Sequence, residues 1–191
     1  MLGRLRNALM PLSTKLGTAL SRLGLTPNEL TVLGVITALL TVPAGYLGIK
    51  WLIPILIALS SLLDWLDGAV ARATSRTSML GGFIDSFCDR VSDIAYLISF
   101  NYLGISMYLI LIATSVSLLV SYVRCRAESL GISLEGVGCL ERGERVISLL
   151  VISVIALLIS VTIAEYLLIA VVILGTLTII QRLVYVIKVL R

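Results

Sequence analysis

Four aspartates in two short stretches of the chain have the residue type and spacing of a metal-binding site. The stretch "DWLDG" carries Asp64 and Asp67, and the stretch "IDSFCD" carries Asp85 and Asp89. Residues three or four positions apart lie on one face of a helix, so each pair is predicted to point in one direction. Four carboxylates could bridge two hard cations such as Mg²⁺, Mn²⁺ or Ca²⁺, which prefer oxygen ligands. Paired cations of this kind suit phosphoryl transfer.

The composition around these aspartates is that of a membrane protein. Of 191 residues, 59% are hydrophobic and 14% are charged, and the mean hydropathy is +1.08. These values lie far outside the usual mix of a soluble domain, so we expect an all-α integral membrane protein. Six segments are long enough to cross the bilayer, and we predict spans near residues 30–49, 51–73, 80–102, 105–128, 145–163 and 165–188.

The connections and the first helix start also have sequence signals. Short connections are predicted at "GIKW", "NYLGIS" and "VTIAEY", and residues 129–144 form a longer polar loop. Thr26, Pro27 and Glu29 have the order of a capping box at a helix start. Residues 1–24 intersperse basic residues with leucine, which predicts an amphipathic helix lying on the lipid headgroups. We therefore expect one domain over 1–191, with a juxtamembrane helix (1–24) before a six-helix core (25–191).

Basic residues indicate the orientation of the chain. They flank the predicted spans on one side of the membrane, whereas Lys50 alone falls in a loop on the other side. Because positively charged loops are retained in the cytoplasm, both termini are predicted to be cytoplasmic. At about 1.5 Å per residue, the aspartates of the second and third spans then meet in the cytoplasmic half of the bilayer. The sequence thus predicts a multi-pass protein of the cell membrane with a cytoplasmic active site.

Other interpretations of the acidic stretch remain open at this point. An ionised aspartate at the bilayer centre costs about 2.5–3.5 kcal/mol, and pairing with an arginine such as Arg90 would offset that cost. A cation channel or transporter could also use the acids as an ion site, although the outer halves of the spans offer few polar residues for a conducting path. Asp93 continues the Asp85–Asp89 face, where it either supports the ligands or, as the favoured alternative, pairs with Arg90. We expect no nucleic-acid partner.

The spacing from Asp64 to Asp89 resembles the signature of the CDP-alcohol phosphotransferase family. That signature is D-x-x-D-G-x-x-A-R, eight residues, then G-x-x-x-D-x-x-x-D, and this chain matches it without a gap. The resemblance implies an enzyme of phospholipid biosynthesis in which an alcohol hydroxyl attacks the β-phosphate of a CDP-activated lipid and CMP leaves. It also implies a homodimer of chains with six spans and an N-terminal juxtamembrane helix.

The same resemblance implies roles for individual residues. Two Mg²⁺ or Mn²⁺ ions would be held by Asp64, Asp67, Asp85 and Asp89, and Asp89 would also serve as the general base. The CDP moiety would contact Gly68, Ala71, Arg72 and Gly81. The small residues Gly68, Ala71 and Gly81 leave room for a substrate to approach the backbone, which agrees with this assignment.

Segments 121–131, 141–145 and 181–182 resemble the subgroup that uses myo-inositol 1-phosphate as the acceptor. The resemblance implies that the acceptor's phosphate is bound by Arg124, Arg142 and Arg182, with Arg145 as a substitute for Arg142. Guanidinium groups suit phosphate, but retention of positive charge in the cytoplasm also explains basic residues here. Glycerol 3-phosphate, serine and free inositol are competing acceptors; serine would not call for so many phosphate-binding arginines, so a phosphorylated acceptor is preferred. The lipid is expected to be CDP-archaeol or CDP-diacylglycerol; the scarcity of Asn and Gln is typical of a thermophile and, together with the subgroup resemblance, favours archaeol.

Overall fold

The computed structural model describes residue 13, residues 15–74 and residues 78–191, and the regular secondary structure of these residues is helical, with no strand among them. Most of the predicted juxtamembrane helix, residues 1–12 and residue 14, lies outside the described residues, but residues 15–22 form a helix, α1. The helices that follow are α2 (Pro27–Leu39), α3 (Thr41–Tyr46), α4 (Leu52–Ala73), α5 (Met79–Leu103), α6 (Met107–Ser129), α7 (Arg142–Leu158) and α8 (Val161–Leu190).

Four stretches of the described chain are long and apolar enough to cross a membrane. They are Pro27–Tyr46, Leu52–Ala73, Met107–Ser129 and Val161–Leu190. They coincide with the first, second, fourth and sixth predicted spans. The helices at the other two predicted spans are α5, whose 25 residues include four charged side chains, and α7, which has 17 residues. The chain is an all-helical membrane protein with several apolar helices.

The predicted boundary between the fifth and sixth spans is wrong. The segment "VTIAEY", predicted as a connection, begins α8, and only Ile159 and Ser160 separate this helix from α7. Ser160 has extended backbone, with φ −164° and ψ 134°, and this reverses the chain without a glycine or proline. Hydropathy stays high across the break, so the sequence pattern does not reveal where one helix ends.

A proline divides the first membrane-crossing stretch into α2 and α3. Pro43 has no backbone N–H, and its ring clashes with the carbonyl of the residue four positions earlier, which is Leu39. α2 accordingly ends at Leu39, and Leu40 keeps a right-handed conformation before α3 begins. The hydroxyl of Thr41 donates a 2.6 Å hydrogen bond to the carbonyl of Ala38 and so satisfies part of the interrupted backbone.

The first compact unit extends to Tyr96, and α2, α4 and the first part of α5 pack together in it. α2 begins with the predicted capping box: Thr26 accepts from the Glu29 N–H, and Glu29 accepts from the Thr26 N–H at 2.8 Å. α2 packs along α4, where Gly34 leaves space for the Ser60 hydroxyl to donate a 2.7 Å hydrogen bond to its carbonyl. This packing places the start of α2 beside the acidic end of α4.

The second compact unit begins at Leu97 and contains α6, α7 and α8. α8 packs against both other helices and buries one narrow stripe: Ala164, Leu168, Gly175, Thr178 and Arg182. Small residues in such a stripe let helices approach closely, as Gly175 does beside Val116 of α6, where an added Cβ would lie 2.6 Å from a methyl carbon. The exposed Leu, Ile and Val residues of α8 suit contact with lipid.

Candidate functional site

Carboxylate oxygens of Asp64, Asp67 and Asp85 lie within 4.8 Å of one another. Asp64 and Asp67 lie one turn apart near the end of α4, and Asp85 lies near the start of α5. Asp67 is buried, whereas the other two carboxylates are partly exposed. The structure therefore brings together three of the four aspartates that the spacing selected, from both helices as expected.

Asp89 lies outside this close set among the described residues. It is buried one turn further along α5, and its Oδ2 is 3.6 Å from Nη1 of Arg90. Arg90 also donates a 2.6 Å hydrogen bond to the carbonyl of Ser86 on its own helix. Asp93 is buried on the next turn. Asp89 thus has the arginine neighbour that the pairing interpretation expected, next to the three clustered carboxylates.

A cavity of about 180 Å³ adjoins the carboxylate cluster. Two of the clustered aspartates line it, Asp67 and Asp85, and so do three residues predicted to contact CDP, Gly68, Ala71 and Gly81. The rest of the lining comes from the start of α2 and from the start of α5: Pro27, Asn28, Thr31, Ser78 and Gly82. The cavity therefore joins carboxylates to a wall of small residues.

The glycines of this wall differ in what a side chain would meet. A Cβ at Gly68 would lie 3.1 Å from Nη1 of Arg72, and a Cβ at Gly81 would lie 3.0 Å from the hydroxyl of Ser78 and 3.5 Å from Oδ1 of Asn28. A Cβ at Gly82 would meet nothing within 4 Å. At Gly68 and Gly81 a polar group therefore lies so close to the backbone that a side chain would have to displace it. Gly82, by contrast, borders open space.

Arg72 is exposed at the end of α4 and contacts the N-terminal segment. Its Nη2 donates a 3.1 Å hydrogen bond to the hydroxyl of Ser13, which is buried. α1 itself approaches the backbone of α4, since a Cβ at Gly17 would lie 2.7 Å from the carbonyl carbon of Ala69. Arg72 is not part of the cavity lining described above, although its guanidinium lies beside Gly68.

The four arginines predicted to bind an acceptor phosphate have different surroundings. Arg182 is buried and donates to the carbonyls of Val137 and Val120, at 2.9 and 2.8 Å. Arg124 is exposed, and its Nε donates a 2.8 Å hydrogen bond to Glu128 one turn away. Arg145 is buried and Arg142 is partly buried, both in the first turn of α7. In this conformation, Arg182 connects α8 to the loop between α6 and α7 through the carbonyl of Val137, and to α6 itself through the carbonyl of Val120.

Three polar residues of the cavity were missed by sequence reasoning. Thr31 donates a 2.6 Å hydrogen bond to Oδ2 of Asp67, and Asn28 and Ser78 lie beside Gly81. Asn28 and Thr31 lie two and five residues after Thr26, the N-cap of the capping box, so the well-marked start of α2 was the available signal. What the sequence does not show is that α2 packs against the acidic end of α4.

The donor set fits a hard divalent cation. Three mutually close carboxylates supply only oxygen ligands and a concentrated negative charge, and such sets suit Mg²⁺ or Mn²⁺ better than zinc, which favours His and Cys. Asp67 is 6% exposed, and an ionised carboxylate buried to this extent requires compensation by charge or hydrogen bonds. Asp64, Asp67 and Asp85 are therefore the residues that could hold a metal ion.

Comparison with known proteins identifies the class of this chain. Residues 24–186 match the family model of the CDP-alcohol phosphatidyltransferases. The chain therefore belongs to the CDP-alcohol phosphatidyltransferase family and is a membrane-bound phosphotransferase.

Individual relatives show which members of the family this chain is similar to. The archaetidylinositol phosphate synthase of Pyrococcus horikoshii is 40% identical over 183 residues, which cover 95% of this chain and 94% of that protein. A crystal structure of Mycobacterium tuberculosis phosphatidylinositol phosphate synthase with CDP-DAG bound matches with a TM-score of 0.80 at 27% identity, over 92% of this chain and 94% of that one. A second structure of the mycobacterial enzyme, with manganese and citrate, has a TM-score of 0.79 at 28% identity, over 91% and 88% of the two chains.

Proposed function

We propose that this chain transfers a phosphatidyl-type lipid group from a CDP-lipid to a hydroxyl of myo-inositol 1-phosphate and releases CMP. The observation that carries the proposal is the carboxylate cluster of Asp64, Asp67 and Asp85 beside a cavity walled by Gly68 and Gly81. Membership of the CDP-alcohol phosphatidyltransferase family supports a CDP-lipid as the donor substrate of this site. The likeness to inositol-phosphate-using synthases supports the acceptor.

In the proposed reaction, each group near the cavity has a separate task. Asp64, Asp67 and Asp85 would hold Mg²⁺ or Mn²⁺, and a bound cation would supply positive charge to the phosphate oxygens as charge develops on them. Gly68, Ala71 and Gly81 leave room for the diphosphate and nucleoside, and Arg72 lies beside Gly68 as a donor to phosphate oxygens.

The bond changes balance without a further reactant. The acceptor's hydroxyl oxygen forms a bond to the β-phosphorus of the CDP-lipid, and the bond from that phosphorus to the CMP oxygen breaks. Asp89 accepts the proton of the hydroxyl as the general base. CMP leaves with the electron pair of the broken bond, and the lipid remains attached to the β-phosphate, which now links it to inositol phosphate.

The acceptor's own phosphate would be bound by arginines that follow α5 in the chain. Arg124 and Arg142 are the proposed donors, together with Arg182 and with Arg145 as a substitute for Arg142. Forked hydrogen bonds from guanidinium groups to phosphate support this assignment. The donor lipid would be CDP-archaeol, as the archaeal relative's name suggests, with CDP-diacylglycerol as the second candidate.

The finer architecture belongs to the same proposal. The chain would form one catalytic domain with six spans and an amphipathic juxtamembrane helix, which the match over residues 24–186 supports. Basic residues at the chain ends and in the helix turns that flank the α6–α7 loop favour cytoplasmic termini and a cytoplasmic active site. Two metal ions and a homodimer complete the expected assembly.

An acceptor panel tests the proposed function. Purified protein is incubated with CDP-archaeol or CDP-diacylglycerol and Mg²⁺ or Mn²⁺, and CMP release is measured with myo-inositol 1-phosphate, glycerol 3-phosphate, serine or inositol. We expect release with myo-inositol 1-phosphate to exceed release with the other three acceptors. Faster release with glycerol 3-phosphate would refute the proposed acceptor but leave the class of reaction intact.

A matched pair of variants ties the activity to the cavity. Asp85→Asn removes one charge from the carboxylate cluster and should abolish CMP release. Glu165→Gln changes a carboxylate whose Oε1 accepts a 2.8 Å hydrogen bond from the Ser106 N–H, and it should leave release unchanged. Cation flux into vesicles containing the wild-type protein, without CMP release, would instead support the transporter interpretation.

A further inference from the structure

Thr31 donates a hydrogen bond to the carboxylate cluster from α2, outside α4 and α5. Its hydroxyl lies 2.6 Å from Oδ2 of Asp67, and the two residues are 36 positions apart in the chain. Thr31 is 7% exposed and Asp67 is 6% exposed, so both ends of the hydrogen bond are shielded from bulk water. Hydrogen bonds to an ionised acceptor are shorter and stronger than those between neutral groups, and a protected environment strengthens them further.

Two acceptors compete for the single proton of the Thr31 hydroxyl. The second is the carbonyl of Pro27, at 3.1 Å on the same helix, which is the usual local contact of a helical threonine. The carboxylate oxygen is 0.5 Å closer and carries charge, so it is the favoured acceptor. The local bond to Pro27 does not require Asp67, whereas the bond to Asp67 depends on α2 packing against α4.

We propose that Thr31 is a positioning residue that fixes the orientation of the Asp67 carboxylate toward the cation. Its hydroxyl donates to Oδ2, so the carboxylate loses rotational freedom and its oxygens are held in one orientation toward the cation. Groups that orient metal ligands typically change metal affinity or activity by about 10- to 100-fold when they are removed. The inference deepens the proposed function and rests on it, because it takes Asp67 to be a cation ligand.

This assignment also gives α2 a part in the chemistry. The residues selected by the spacing of the acidic motif lie on α4 and α5, and α2 contributes none of them. Ser60 donates to the carbonyl of Gly34 on α2, which lies three residues after Thr31, so the same face of α2 is held against α4 one turn further along. The helix that carries Thr31 is thereby kept at a fixed distance from Asp67.

Direct titration with Mn²⁺ tests the inference without substrate. Free Mn²⁺ is measured by electron paramagnetic resonance in the presence of purified wild-type protein, Thr31→Val or Thr31→Ser, with no CDP-lipid or acceptor added. Thr31→Val keeps the shape and removes the hydroxyl, so we expect Mn²⁺ affinity to fall about 10-fold or more. Thr31→Ser keeps the hydroxyl and should bind Mn²⁺ nearly as well as the wild type.

Thr37→Val is the matched control for removing a threonine hydroxyl from α2. The Thr37 hydroxyl donates a 2.7 Å hydrogen bond to the carbonyl of Leu33 and so has the local bond without the carboxylate contact. We expect its Mn²⁺ affinity to equal that of the wild type. Thermal unfolding accompanies each titration, and Thr31→Ala replaces Thr31→Val if the valine variant does not fold.

The Mn²⁺ dependence of CMP release distinguishes a positioning role of Thr31 from a general loss of structure. The Mn²⁺ concentration that gives half-maximal CMP release should rise in Thr31→Val, while the KM for the acceptor stays constant. Equal Mn²⁺ affinity of Thr31→Val and the wild type would overturn the inference, as would an equal loss in Thr31→Ser. Wild-type protein that binds no Mn²⁺ would overturn the proposed cation site together with the inference, so the two failures are distinguishable.

Discussion

The hydroxyl of Tyr96 donates a 2.7 Å hydrogen bond to the hydroxyl oxygen of Ser60. The Ser60 hydroxyl in turn donates a hydrogen bond to the carbonyl of Gly34, so one buried chain of hydrogen bonds joins α5, α4 and α2. Tyr96 is 1% exposed and Ser60 is 2% exposed. Ser60 lies one turn before Asp64, and Tyr96 lies two turns after Asp89. The contact therefore fixes the relative register of the helices that carry the acidic residues.

Tyr96→Phe is expected to destabilise the protein with little change in its chemistry. The substitution removes one buried hydrogen bond but leaves Ser60 bonded to Gly34, so the free energy of unfolding should fall by about 1 kcal/mol. Thermal unfolding in detergent measures the effect. Tyr108→Phe is the control because Tyr108 is 82% exposed, and its melting temperature should not change. Equal melting temperatures for the two variants would contradict the proposed role in helix register.

Gly68→Ala should weaken binding of the CDP-lipid while stabilising the helix. The new Cβ would lie 3.1 Å from Nη1 of Arg72 and would displace that guanidinium. Alanine is favoured over glycine in a helix by about 1 kcal/mol, so the melting temperature should not fall. We expect a higher KM for CDP-lipid in steady-state assays.

Gly82→Ala separates two effects of an added methyl group near this cavity, the loss of cavity volume and the displacement of Arg72. Its Cβ would meet no atom within 4 Å, so it adds volume without moving a neighbour. The KM for CDP-lipid should rise less than in Gly68→Ala. An equal or larger rise would show that cavity volume, and not the position of Arg72, limits donor binding.

Asp89→Asn should abolish turnover without loss of the folded, donor-binding protein. The amide keeps the size of the side chain but cannot accept the hydroxyl proton, and a general base typically contributes about 10²- to 10⁴-fold to the rate. CMP release and CDP-lipid binding are measured on the same sample, with Glu165→Gln as the control. Wild-type turnover in Asp89→Asn would remove Asp89 from the role of base.

Arg124→Ala should raise the KM for the acceptor more than the KM for CDP-lipid. Arg124 is exposed and its ion pair with Glu128 is worth less than about 1 kcal/mol, so stability should hardly change. Arg126→Ala removes an equally basic, exposed neighbour that donates to the hydroxyl of Ser129 and is not proposed to touch the acceptor. The same shift in both variants would point to general surface charge as the cause.

Arg182→Ala is expected to lower stability as well as acceptor binding. Two hydrogen bonds from its charged donors, to Val137 and Val120, are lost, and each such bond is worth about 1.5–3 kcal/mol. Thermal unfolding measures the loss, and Lys188→Ala, an exposed cation of the same helix, should behave as the wild type. A raised acceptor KM at unchanged melting temperature would show that Arg182 serves the substrate alone.

The sequence predicted those features that depend on local spacing. Thr26 and Glu29 form the expected capping box because its geometry involves only four consecutive residues. The aspartates of "DWLDG" and "IDSFCD" were predicted to face each other, and Asp64, Asp67 and Asp85 do so because two helices on either side of a short connection must be neighbours. The family signature overlaps these same residues.

Features that depend on packing between distant helices were not predictable in this way. A threonine in an apolar helix resembles any other, and the partner of Thr31 is set by how closely α2 approaches α4. Arg182 was predicted to bind the acceptor's phosphate, but the sequence does not show that this side chain is buried and donates to the carbonyl of Val137 in the loop before α7. The end of α7 at Leu158 leaves no mark in a continuous apolar pattern.

The length of α8 exceeds what a typical bilayer needs. Its 30 residues span about 45 Å, whereas the hydrocarbon region is about 30 Å thick. Such a helix must tilt or project into the headgroups, and Arg182, about 32 Å from Val161 along the axis, then reaches the interface. Hydrophobic mismatch would thus act on the loop that Arg182 holds, so activity should depend on the acyl or isoprenoid chain length of the host lipid.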